Sequence, residues 1–347
     1  MSHTRNVNID IIRSLAIVIM IIANSAILLK PEYHYSLFRL FCSLAAPLFI
    51  TLSGVSFQLS FDNTQYKDLF ARNKIRSALY LLCTASMIDM FIWHVLPFQN
   101  FDVLYIISIG IIVNTILLNQ RIVFKFMAAI VIIMLALFLQ SVAVYRFSVT
   151  YIPIDSISAN QIFLYVNNGA QALFLDGWFP FFPWIAFSVI GTLLNGYMNG
   201  INKSIVIGIA STTFIFSSYS ILTFLPLQTE RSDYLELFYP ANISILIVLF
   251  SFITLIFSLF GKHLIKNTFI DYLSIIGRHS LFVYIFHTII ISYIFSSYPH
   301  IFTMQEFLLF MLVLIISCYI CTFCLELQIT HNILKKCPVI MRRILGL

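Results

Sequence analysis

Charge is what this sequence has least of. Only 10% of its 347 residues are Asp, Glu, Lys or Arg, against roughly a quarter in an ordinary globular chain. That scarcity excludes a soluble domain of this length. Strand-like alternation of polar and apolar residues is missing too, which argues against a transmembrane β-barrel. The six cysteines do not make a disulfide framework. Cys318, Cys321 and Cys324 recur every third residue in an apolar run, so they share a helical face. Without companion histidines or paired CxxC sites they read as packing, and no metal site is expected. The first apolar run is too long for a cleavable signal and has no small-residue cleavage site.

What is there is hydrocarbon. Hydrophobic residues make up 60% of the chain and Phe alone numbers 35. Apolar stretches of about 20 residues, the length that crosses a bilayer, recur at roughly 9–29, 37–60, 77–96, 102–119, 121–144, 179–199, 202–222, 239–260, 280–297 and 303–325. The expected fold class is all-α: a polytopic integral membrane helical bundle of about ten transmembrane helices. With no internal repeat or separable soluble segment, residues 1–347 are expected to form a single transmembrane domain. If the N-terminus is cytoplasmic, fourteen Lys and Arg fall in cytoplasmic segments and four in external ones, Lys30, Arg39, Arg146 and Arg231. This positive-inside bias places both termini in the cytoplasm. It also accounts for the net charge of +6 without a nucleic-acid partner. The connection over 145–178 is far longer than its neighbours. It is expected outside, as a functional loop or a lid that never touches substrate.

Ionisable residues at membrane depth are costly and mark functional candidates. The first span carries Asp10, Arg13 and Asn24 in "NIDIIRSLAIVIMIIANSA". Asp10 and Arg13 are three apart and can pair. Asn24 lies about 21 Å farther along the helix than Asp10, at 1.5 Å per residue, which separates two jobs. As structure alone, the pair is an end-of-helix anchor and Asn24 an interhelical hydrogen bonder. His34 follows in the first external loop. A second cluster, "GRHSLFVYIFH", places Arg278 and His279 at a cytoplasmic mouth and His287 mid-helix, where an imidazole needs a polar partner or water. In "FRLFCSLAAPLFITLSG", Pro47, Ser53 and Gly54 permit close helix approach or a local break. In "DGWFPFFPWIAFSVIG", two prolines rigidify the entry to the sixth span.

Taken together, "IDIIRSLAIVIMIIAN", "AAPLFITLSG", "FDVLYIISIG", "FPFFPWIAFSVIG" and "GRHSLFVYIFH" resemble the transmembrane acyltransferase superfamily in residue type and order. The resemblance covers the acyltransferase-3 proteins and the heparan-glucosaminide N-acetyltransferase branch, and spans most of the chain. Two departures stand out. Ser14 replaces the glycine usual after the arginine, and Asn24 stands where acyltransferase-3 proteins carry a histidine. The glucosaminide branch has Asn there and a catalytic histidine in the following loop, a pattern that His34 fits.

The resemblance implies an inner-membrane acyltransferase of the bacterial surface-glycan O-acetyltransferase type. It would take acetyl from cytoplasmic acetyl-CoA and pass it to a sugar hydroxyl, on lipopolysaccharide O-antigen or a lipid-linked precursor. His34 and Asn24 would be catalytic, with His34 as general base or acetyl carrier and Asn24 fixing its ring or stabilising the oxyanion. Arg13 and Arg278, with Asp10 beside Arg13, would hold the donor's phosphates. His287 is expected to shape the bundle rather than do chemistry. The expected partners are the glycan acceptor and membrane lipid, and a homodimer is left open. The rival readings are a transporter or flippase of lipid-linked sugars, which would favour inverted repeats or paired broken helices, and an accessory protein whose polar residues only pack helices.

Overall fold

The computed structural model describes residues 6–64, 66–142, 152, 159–197, 203–224, 236–239, 241–260, 268–298 and 301–330. Most of the 145–158 part of the long connection lies outside these residues. So do Arg5, Arg146, Arg231, Lys262, Lys266 and the basic residues of 335–343.

Among the described residues the α-helices are α1 (Val7–Ser25), α2 (Ser36–Cys42), α3 (Ala45–Asp62), α4 (Lys67–Phe91), α5 (Val103–Ile116), α6 (Ile122–Val142), α7 (Ala159–Gln171), α8 (Phe181–Tyr197), α9 (Lys203–Phe224), α10 (Ile243–Phe260), α11 (Thr268–Arg278), α12 (Ser280–Ser297) and α13 (Met304–Thr330). The protein is all-helical, and each of the ten apolar stretches falls on a helix. Seven helices are long and apolar enough to cross a membrane, or eight if the bent pair Tyr165–Asp176 and Phe181–Leu194, 51° apart, is one span. Two of the ten stretches fall short for different reasons. α4 is long but carries Lys67, Asp68, Arg72, Lys74, Arg76 and Asp89. α5 is apolar but has 14 residues, against the 20 or so that hydrocarbon demands. Residues 159–171, expected within a loop, are helical.

The chain divides into two compact units, Met1–Ala45 with Thr254–Leu347, and Ala46–Ile253. In the first unit, α1 starts at Asn6, whose side chain accepts the Asn8 N–H at 3.1 Å and so satisfies one of the helix's orphan donors. α1 packs against α11, α12 and α13. After α1 the chain leaves through a short 3₁₀ turn, Ala26–Leu28. It then pairs with the segment before α13: Lys30 N–H donates to Phe302 O and Phe302 N–H to Leu28 O, each at 3.0 Å. A second 3₁₀ turn, Pro31–Tyr33, ends at His34.

In the second unit, α3, α5 and α8 meet where their residues are small. A Cβ on Gly54 would lie 2.0 Å from Ser188 O, and one on Gly191 would lie 2.2 Å from Thr51 O. Glycine is therefore required on both helices, the small-residue contact that lets apolar helices approach in membranes. Asn114 Nδ2 donates to Ser188 Oγ at 3.0 Å across the same crossing. Of the two options that Pro47 and Gly54 left open, close approach is realised; α3 runs unbroken from Ala45 to Asp62.

Candidate active site

The polar residues of the first unit are arranged in two levels. At the lower level, Arg13 Nη1 donates to Asp10 Oδ1 at 2.8 Å, the i,i+3 pair the sequence suggests. Asp10 is only 2% exposed. Ser14 Oγ donates to Asp10 O at 3.0 Å and accepts the Gly277 N–H at 2.8 Å. This contact has no room for a side chain on α11, because a Cβ on Gly277 would sit 2.0 Å from Asp10 O. Where the resemblance expects a glycine on α1, the chain has Ser14, and the glycine of this crossing is on the opposite helix.

Arg278 follows Gly277, so it sits one residue from the crossing, as Arg13 does on α1. Its Nη1 donates to Glu326 Oε1 at 3.2 Å and its Nη2 to Ser274 Oγ at 2.8 Å. His279, the N-cap of α12, is buried with Nε2 3.3 Å from the same Glu326 oxygen. The lower level thus holds two arginines, a buried aspartate, a glutamate and a histidine. Both arginine side chains are partly exposed, 20% for Arg13 and 24% for Arg278. Each is steadied by a carboxylate while part of its side chain faces solvent.

At the upper level Asn24 Nδ2 lies 3.1 Å from His287 Nε2. His287 Nδ1 is 2.7 Å from Val283 O, and the ring is fully buried against Tyr284, edge to face. Here the structure differs from the reading that gave Asn24 to His34. Asn24 is the penultimate residue of α1 and one N–H of its amide is directed at α12. His34 lies ten residues on, beyond the turns that carry the chain to Phe302. The His34 ring is instead held by its own loop, with Nε2 3.2 Å from Leu29 O. A carbonyl oxygen only accepts, so in the neutral ring Nε2 bears the hydrogen and Nδ1 is the basic nitrogen.

Glu326 lies one residue beyond the last apolar stretch, 303–325, so no membrane-depth signal marks it in the sequence. Asp89 in the second unit was also missed. It is 1% exposed, accepts Tyr105 Oη–H at 2.6 Å and Asn100 Nδ2–H at 3.2 Å, and so anchors the turn after α4. That turn contains three left-handed non-glycine residues, His94, Phe98 and Phe101. The rule that flags Asp10, a carboxylate inside an apolar stretch, would have flagged Asp89 as well.

Comparison with known proteins adds one finding. Residues 5–206, more than half of the chain, match the family described as heparan-alpha-glucosaminide N-acetyltransferase, catalytic. Asp10, Arg13, Asn24 and His34 lie inside the matched stretch, and Arg278 and His287 beyond it. No curated protein matches the chain.

Proposed function

Given that the chain belongs to the heparan-alpha-glucosaminide N-acetyltransferase catalytic family, and so is a membrane acetyltransferase, we propose that it carries acetyl from cytoplasmic acetyl-CoA to a sugar hydroxyl of a surface glycan. The acceptor in this reading is lipopolysaccharide O-antigen or a lipid-linked precursor. The protein works as one transmembrane domain in a bacterial inner membrane, with both termini cytoplasmic. The observation that carries the proposal is the pair of polar levels within a single unit. Arginines gather at the Asp10 end of α1, and an amide and a half-buried histidine loop lie at its far end. About 21 Å of helix separates Asp10 from Asn24, at 1.5 Å per residue.

The donor's phosphates pair with Arg13 and Arg278, whose planar forks suit them. His34 Nδ1 takes the proton from the acceptor hydroxyl as that oxygen forms its bond to the acetyl carbonyl carbon. The carbon–sulfur bond breaks, its electron pair leaves with the CoA sulfur, and the proton returns from the imidazolium to that thiolate. Asn24 keeps one amide N–H for the oxyanion that forms in between.

The test uses purified protein, labelled acetyl-CoA and matched acceptors that offer either a free amine or only hydroxyls. Transfer to the hydroxyl acceptor, reduced about 10²–10⁴-fold in His34→Ala at equal protein level, is the expected result. Near-normal transfer by that variant would displace His34 from the chemistry. Transfer to the amine alone would make the reaction N-acetylation.

A further inference from the structure

We propose that His287 is a positioning residue that works in one fixed tautomer and holds the Asn24 amide in a single orientation; this rests on the reading of Asn24 and His34 given above. The constraint on the ring starts at Val283. Its carbonyl oxygen lies 2.7 Å from His287 Nδ1 and has no proton to give, so Nδ1 carries the ring hydrogen. In the neutral ring Nε2 is then a bare acceptor. Its neighbour at 3.1 Å is the Asn24 side chain, and the only group of an amide that satisfies an acceptor is its NH₂. The orientation of Asn24 therefore follows from Val283, two bonds removed, whatever way the amide is drawn. One N–H is committed to His287. The other N–H and Oδ1 remain for the reacting groups.

A second observation supports a designed contact rather than a chance one. The Ser14–Gly277 and Asn24–His287 hydrogen bonds have the same sequence separation, 263 residues. α1 and the α11–α12 run therefore climb side by side, ten residues each, without slipping register. The lower contact is close, since a Cβ on Gly277 would lie 2.0 Å from Asp10 O. It fixes the height at which Nε2 meets the amide. A histidine here serves where an aliphatic residue would pack as well, because only an acceptor on α12 denies the amide its alternative rotation. Without that acceptor the amide can turn Oδ1 toward the oxyanion, and losing one oxyanion donor costs about 100-fold or more.

Two measurements test this on the full-length protein in detergent or lipid. The first is the ¹⁵N spectrum of labelled histidine, with the His287 resonances assigned by difference from His287→Gln. A protonated Nδ1 and bare Nε2 are expected, in wild type and in Asn24→Ala alike. A protonated Nε2 in wild type overturns the proposal whether or not the protein transfers acetyl. The second is a kinetic cycle. His287→Leu is expected to lose about 100-fold in kcat with KM for acetyl-CoA unchanged. His287→Gln keeps an acceptor near Nε2 and should recover most of the rate. The double variant with Asn24→Ala should be no slower than Asn24→Ala alone, as for groups acting as a unit. Losses that multiply, or an active His287→Leu, refute the positioning role. If Asn24→Ala itself transfers acetyl normally while the spectrum shows the expected tautomer, the assignment of Asn24 to catalysis fails and the tautomer stands.

Discussion

At the scale of single residues, the arginines bear the most direct test. Arg278 bonds Glu326 and Ser274, so its loss would remove a charge proposed to hold the donor and a packing contact together. Hydrogen bonds to charged groups contribute about 1.5–3 kcal/mol. Arg278→Ala should therefore weaken acetyl-CoA binding about ten- to a hundredfold by calorimetry, and Arg278→Lys less. Glu326→Gln separates the two roles. It spares the guanidinium, so it should leave donor affinity within about threefold; a loss equal to that of Arg278→Ala would mark Arg278 as structural. The sequence made these residues unevenly legible. Asp10–Arg13 was readable because partners three apart on a helix face each other whatever the tertiary fold. The need of His287 for a polar partner was readable from its apolar surroundings. That the partner is Asn24 was not, because hydrogen bonds between residues 263 apart leave no local trace.

Among the helices, the decisive contacts are made where side chains are missing. Gly277 on α11 and the Gly54–Gly191 pair of α3 and α8 each occupy space that one methyl would close, while a Cβ on Gly208 of α9 would meet nothing within 4 Å. Gly277→Ala should cost about 1–3 kcal/mol as overpacking and lower the thermal midpoint. Gly208→Ala should be neutral or slightly stabilising, since alanine is the better helix former. Equal melting of the two variants would mean that α11 yields at the crossing. Periodicity and length gave helix existence reliably here, since every apolar stretch is helical. They failed for α4 and α7. The basic first turns of α4 read as a loop before a span, and α7 lies in the long 145–178 connection, which reads as an external loop.

For the whole molecule, the charge asymmetry yields a prediction independent of any site. A reporter fused after Leu347 should be active only when it works in the cytoplasm, and one at residue 150 only outside; the reverse pattern would overturn the orientation. The order in which the chain is made has its own consequence. The first unit joins the earliest residues to ones that come 263 positions later. At roughly 5–20 residues per second, α1 is in the membrane for about 13–50 s before Gly277 and His287 exist to receive Ser14 and Asn24. Throughout that interval an aspartate, an arginine, a serine and an amide must be tolerated on α1 without the α11–α12 run that packs against it in the finished fold. The Asp10–Arg13 and Ser14–Asp10 bonds of the lower level need no later residue, so the ion pair neutralises the helix while the rest of the chain is still on the ribosome.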